Sequence, residues 1–123
     1  MTVRSLLDSS AIIALLRREP GGSVVEEALE DAAMSSVNAA ETVSILIRFG
    51  DDPSRAERYL IDLGLPIIAF DAAQWASTGT LAARNRGVLS LCLATAASLD
   101  IAILTANRAW AGLGLTQDIR LIR

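Results

Sequence analysis

The chain has 123 residues, 52% of them hydrophobic, which fits one domain spanning residues 1–123 with a sizeable core. Its formal charge is −3, from 14 Asp and Glu against 11 basic residues that are all Arg. That argues against wrapping nucleic acid by bulk electrostatics but leaves room for a local Arg-lined path. The absence of His and the single Cys92 exclude Ser-His-Asp and Cys-His catalysis, imidazole zinc sites and an internal disulfide.

Residues 3–7 form an apolar run ending at Asp8, the pattern of a strand buried on both faces. Asp8-Ser9-Ser10 offers caps for a helix over residues 11–18, which Glu19-Pro20-Gly21-Gly22 stops. Ser23 caps a helix over 24–32, and residues 33–37 read as a second strand. Asn38 caps the next helix, with Glu41 three residues later at capping-box spacing and Gly50 at its end. Pro53 opens a helix to about residue 62, with Gly64 beyond it. Residues 65–70 read as a third strand weakened by Pro66, and Asp71 caps one helix over 72–84. Residues 91–99 read as a helix, 101–104 as a fourth strand, a turn of helix surrounds Trp110, and 121–122 add an edge strand.

This alternation defines an α/β domain with a mainly parallel central sheet of about four to five strands flanked by helices. Ile12, Leu15 and Leu16 read as a core face at helical spacing. Cys92, in an apolar stretch, reads as an inert core thiol. No apolar run reaches the roughly 20 residues of a membrane span. No basic-then-apolar signal segment precedes Asp8, so a cytoplasmic location without a membrane partner is expected.

In open parallel sheets, sites form beyond the carboxyl ends of the strands. Asp8, Glu41 and Asn107 fall at such places. Each has an ordinary alternative: Asp8 as a helix cap, Glu41 as a capping-box acid, Asn107 as a turn residue. Asp51, Asp52, Asp62, Asp71, Asp100 and Asp118 read as loop or cap acids. Crowded carboxylates need a cation or a proton between them. With no His or Cys pair, a hard cation, Mg²⁺ or alternatively Mn²⁺, is the one they suit.

Three segments carry a resemblance. Leu6-Leu7-Asp8-Ser9-Ser10-Ala11 resembles the opening of PIN-domain toxins of the VapC type. Ser36-Val37-Asn38-Ala39-Ala40-Glu41 resembles their second motif, and Ile103-Leu104-Thr105-Ala106-Asn107-Arg108-Ala109-Trp110 their fourth. The resemblance implies a PIN-like three-layer fold and a Mg²⁺-dependent endoribonuclease, the toxin of a type II toxin–antitoxin pair. It implies Asp8 as a direct metal ligand and Glu41 as a ligand or water-mediated partner. Asn107 would complete the catalytic set, with Ser9, Asn38 and Thr105 as supporting neighbours. Arg84, Arg86 and Arg108 are candidates for substrate phosphates, because Arg pairs well with phosphate. The implied partners are RNA, a VapB-type antitoxin, a second copy in a homodimer, and operator DNA through the antitoxin alone.

Two departures from the family pattern stand out. Asn107 occupies a position that is commonly Asp, so it keeps a carbonyl ligand but brings no charge. The third acid is missing. Leu89-Ser90-Leu91-Cys92-Leu93-Ala94 matches the family segment only if a short Gly-Asp-Arg-Ala-like stretch is absent between Leu91 and Cys92. The favoured explanation is a mobile stretch left out of the chain as written; removal by design and natural loss are the alternatives. If the acid is truly lost, the alternative function is a catalytically inactive PIN-like domain that binds an antitoxin. An aspartyl-phosphate enzyme built on Asp8 is disfavoured, since Ser10 stands where a second acid belongs and no Lys is present.

Overall fold

The computed structural model describes residues 2–84, 91–112, 114, 115 and 117–123. In chain order the elements are β1 (Ser5–Leu7), α1 (Ser9–Leu16), α2 (Gly22–Ala28), β2 (Ala32–Ser35), α3 (Ser36–Arg48), α4 (Pro53–Leu63), β3 (Ile67–Ile68), α5 (Ala72–Ala76), α6 (Thr78–Arg84), α7 (Leu91–Leu99), β4 (Ala102–Thr105) and β5 (Ile119–Leu121). Single 3₁₀ turns cover Leu29–Asp31 and Arg108–Gly112.

Successive strand residues point to opposite faces of a sheet, and here both faces are covered. Leu7, Ala32, Met34 and Leu104 pack with Ile12 of α1 and Val25 of α2 on one side. Leu6, Ala33 and Ile103 pack with Leu81 of α6 and Cys92, Leu93 and Ala96 of α7 on the other. The result is the expected three-layer arrangement. The sheet runs β3-β2-β1-β4-β5 with every pairing parallel. Ile12 is buried, and Leu15 and Leu16 pack partly buried against the same core.

Local chemistry explains several boundaries. Asp52 accepts from Arg55 N at 2.9 Å, Pro53 opens α4, and Gly64 closes it at φ 66°. Asp71 accepts from Gln74 N at 3.0 Å and starts α5. The single helix expected over 72–84 is instead two. Ser77 Oγ donates to Gln74 O at 3.0 Å and Thr78 Oγ1 to Trp75 O at 2.8 Å. Hydroxyls that bond back to the preceding turn bend a helix.

The third strand is two residues long rather than six. Pro66 has no N–H to donate, and Phe70 N donates instead to Ser36 Oγ at 3.2 Å. The second strand ends at Ser35, two residues early, because α3 starts there. Among the described residues no helix is long and apolar enough to cross a membrane.

Candidate functional site

β1 is central, and the chain leaves it toward β2 on one side and reaches β4 on the other. The carboxyl ends of β1 and β4 therefore flank a topological switch point, where ligand crevices form in open parallel sheets. Asp8 directly follows β1, and its N–H donates to Leu104 O at 3.0 Å, which ties it to β4.

Asp8 stands at the N-cap position of α1, but its side chain caps nothing. Its main-chain oxygen starts the helix, accepting from Ala11 N at 3.0 Å and Ile12 N at 3.1 Å. The carboxylate turns elsewhere. Oδ2 accepts from Ser10 Oγ at 2.9 Å and from Thr105 Oγ1 at 2.8 Å. Oδ1 accepts from Asn38 Nδ2 at 3.4 Å.

Asn38 is not the cap of α3. Ser35 is: its Oγ accepts from Asn38 N at 3.0 Å and donates to Asn38 Oδ1 at 2.9 Å. The helix start thus lies three residues before the expected one. Glu41 is consequently a turn too deep to serve as a capping-box acid. The buried Asn38 instead spans two carboxylates, donating from Nδ2 to Glu41 Oε2 at 3.3 Å as well as to Asp8. The two carboxylates fix which end of the amide is nitrogen, since the reverse orientation would set a carbonyl against two anions.

Asp8, Ser9, Asn38, Glu41 and Asn107 line one cleft of about 670 Å³, together with Ser44, Leu91, Cys92 and Trp110. Ser9 is buried. Asn107 is exposed and serves its own turn, with Oδ1 accepting from Ala109 N at 3.2 Å. Thr105 is fully buried beneath Asp8.

The donor set fits a small hard cation. Two carboxylates converge on an amide N–H₂ group, the place in this cleft where positive charge is favoured. Mg²⁺ typically takes one or two carboxylates and keeps several waters. Asp8 and Glu41 would hold it, with Asn107 lining the same cleft. Among the described residues, no group of three or more His, Cys, Asp or Glu side chains comes together. The wall of the cleft carries Leu91 and Cys92 where the family resemblance places a third acid. These two are consecutive residues of α7, and Thr95 Oγ1 reaches back to Leu91 O at 3.1 Å. Cys92 is buried, and its thiol is pushed well above its usual range by burial and then by the charges of Asp8 and Glu41.

The Arg candidates divide. Arg108 follows Asn107 and is exposed, but does not itself line the cleft. Arg84 lines a different cleft, with Arg4, Asp100 and Ala102 at the amino ends of β1 and β4, and is not brought to Asp8. Arg86 lies outside the described residues. Two residues of the site lie outside the set expected from the sequence. Ser10, in the first turn of α1, bonds Asp8 directly, and Ser44 lines the cleft one turn beyond Glu41. Only the spacing of Ser44 from Glu41, three residues along one helix, could have pointed to it.

The PIN domain family model matches residues 5–114, and the chain belongs to the PIN domain family. Comparison with curated proteins gives no match. Solved structures share the fold over nearly the whole chain. A chain of DNA-bound VapBC from Salmonella typhimurium aligns with TM-score 0.75 at 15% identity, covering 99% of this chain and 100% of that one. A chain of VapBC2 from Rickettsia felis, bound to a promoter DNA fragment, aligns with TM-score 0.70 at 16% identity, covering 97% and 98%. FitAcB from Neisseria gonorrhoeae aligns with TM-score 0.62 at 20% identity, covering 94% and 95%. At these identities the likeness establishes the fold.

Proposed function

We propose that this chain is a Mg²⁺-dependent endoribonuclease, the toxin of a type II toxin–antitoxin pair, which hydrolyses RNA phosphodiester bonds. The observation that carries this reading is the carboxylate of Asp8. At an N-cap it would ordinarily satisfy the helix, yet it is turned into a cleft and coupled through Asn38 to Glu41. Membership of the PIN family and the shared fold with VapBC chains support the same reading.

When bound, Mg²⁺ supplies positive charge for the scissile phosphate and a water of lowered pKa. Asp8 and Glu41 hold the cation's place. Asn38 keeps the two carboxylates in register, and the hydroxyls of Ser10 and Thr105 hold Asp8. Glu41, exposed at the cleft, keeps one oxygen free of Asn38, and this is the oxygen it would turn to the cation. Asn107 offers a neutral oxygen, so cation affinity is lower than in a centre with a fourth acid. Arg108 meets a substrate phosphate at the mouth.

An antitoxin of the VapB type and a second copy of the chain are the partners this reading implies, in a cytoplasmic complex that meets operator DNA through the antitoxin. An apolar groove between α3 and α4, lined by Val43, Leu60, Ile61 and Ile67, gives a partner chain a face to cover. The test is cleavage of varied RNAs by the purified chain with Mg²⁺ or Mn²⁺. Activity should disappear with chelator and in Asp8→Ala. Absence of cleavage under all these conditions would sink the proposal.

A second reading has an observation of its own. The place of the third acid is taken by Leu91 and Cys92. An inactive PIN domain that only binds an antitoxin would co-purify with a small partner and show no metal-dependent cleavage.

A further inference from the structure

Asp8 accepts three hydrogen bonds, and they are shared unevenly between its two oxygens. Oδ2 takes both hydroxyls, Ser10 Oγ at 2.9 Å and Thr105 Oγ1 at 2.8 Å. Oδ1 has the Asn38 amide alone, at 3.4 Å, near the limit of a hydrogen bond.

The hydroxyl protons are directed. Ser10 Oγ accepts from Ala106 N at 3.0 Å, and Thr105 Oγ1 accepts from Asn107 N at 3.0 Å. Each hydroxyl has one proton to give. The two hydroxyl oxygens lie 3.2 Å apart, so a bond between them would take a proton away from Asp8. The carboxylate is the stronger acceptor and the closer one, so both protons go to Oδ2. Two successive main-chain N–H groups after β4 therefore each feed a hydroxyl, and both hydroxyls feed one oxygen. Such chains polarise in one direction and strengthen along their length.

We infer that Ser10 is a positioning residue which, with Thr105, reserves Asp8 Oδ2 and leaves Oδ1 as the oxygen offered to a cation, so that the site prefers Mg²⁺ or Mn²⁺ over Ca²⁺. The inference rests on the proposed role of Asp8 as a ligand. A carboxylate confined to one oxygen suits an octahedral cation that keeps its waters. Ca²⁺ is larger and commonly takes both oxygens of a carboxylate. Removing the Ser10 hydroxyl frees a lone pair on Oδ2, strips the acceptor from Ala106 N, and lets the carboxylate turn to offer both oxygens.

The experiment measures Mn²⁺ binding by the electron paramagnetic resonance of free Mn²⁺, with Ca²⁺ as competitor, on the full chain. Ser10→Ala should weaken Mn²⁺ binding by about 10-fold, the lower end of what loss of a ligand's hydrogen-bond partner costs. Ca²⁺ binding should hold or improve, and Ser10→Thr should restore the wild-type preference. Thr105→Val should move the ratio the same way, which keeps the test alive if circular dichroism shows Ser10→Ala unfolded. A Mn²⁺ to Ca²⁺ ratio unmoved in both variants, with wild type binding Mn²⁺, overturns this inference alone. Wild type that binds no Mn²⁺ overturns the nuclease reading, and this one with it.

Discussion

Ser35 and Asn38 hold each other twice: Ser35 Oγ accepts from Asn38 N at 3.0 Å and donates to Asn38 Oδ1 at 2.9 Å. One hydroxyl thus starts α3 and aims the amide that links Asp8 to Glu41. Both residues are buried, Ser35 completely. Ser35→Ala removes a cap worth about 1 kcal/mol. It also leaves the buried Asn38 Oδ1 without a donor, at about 1–3 kcal/mol. A stability loss of at least about 2 kcal/mol in urea unfolding is expected, with weaker Mn²⁺ binding alongside. A variant as stable as wild type would show that the cap is not made by Ser35.

Asn38 donates to both carboxylates from one nitrogen. In Asn38→Asp that donor becomes a third anion beside Asp8 and Glu41. Like charges this close repel unless a cation or a proton enters. The expected outcome is lower stability in chelator and a larger rise in melting temperature on adding Mg²⁺ than wild type shows. Equal Mg²⁺-induced shifts for the two proteins would remove Asn38 from the charge balance of the site.

Elements with strong local signals are legible in the sequence itself. Asp52-Pro53 with Gly64, and Asp71, mark helix ends by their own backbone chemistry. Leu6-Leu7 followed by Asp8 places an acid at a strand end whatever the rest of the chain does. The start of α3 is not legible, because Ser35 and Asn38 are both good caps. What decides between them is non-local: Ser35 pairs with Ile68 in the sheet, so the strand must run that far and no farther. Ser10 is hidden for a similar reason, since its partner Thr105 lies 95 residues away and meets it only across the β1–β4 junction. Arg84, the last residue of α6, falls at the amino ends of β1 and β4 rather than beside Asp8, a placement that periodicity does not supply. The break between α5 and α6 does have a local signal, Ser77-Thr78-Gly79, of the kind that favours turns over helix.

Gly21 adopts φ 93°, and a Cβ built on it would lie 2.6 Å from Ile122 O and 2.9 Å from Ile122 Cγ1. The turn it occupies is tied to the end of the chain, where Arg123 Nη1 donates to Pro20 O at 2.9 Å. Gly21→Ala therefore carries both a backbone penalty and a clash with main chain. A loss of about 3 kcal/mol is expected from the combination. Gly64, at φ 66° with nothing within 4 Å of its would-be Cβ, isolates the backbone part, and Gly64→Ala should cost about 1 kcal/mol. Thermal unfolding of the two variants side by side gives the difference; equal losses would mean that the strand end yields freely.

Cys92 makes stability depend on alkaline pH. In the folded chain, burial and then the negative charges of Asp8 and Glu41 hold its thiol protonated well above the usual range. In the unfolded chain it ionises near pH ~8.5. Below that value both states carry the proton, and the thiol adds no pH dependence. Above it the unfolded state releases a proton that the folded state keeps, so stability falls as pH rises, by at most about 1.4 kcal/mol per pH unit. Urea unfolding of wild type and Cys92→Ala between about pH 7 and 10, both in chelator so that no cation neutralises the carboxylates, measures the slope. Wild type should lose stability more steeply than Cys92→Ala above pH ~8.5, and iodoacetamide should label Cys92 only as the chain unfolds. Parallel curves, or rapid labelling of the folded protein, would mean that the thiol is neither buried nor under the influence of the two carboxylates.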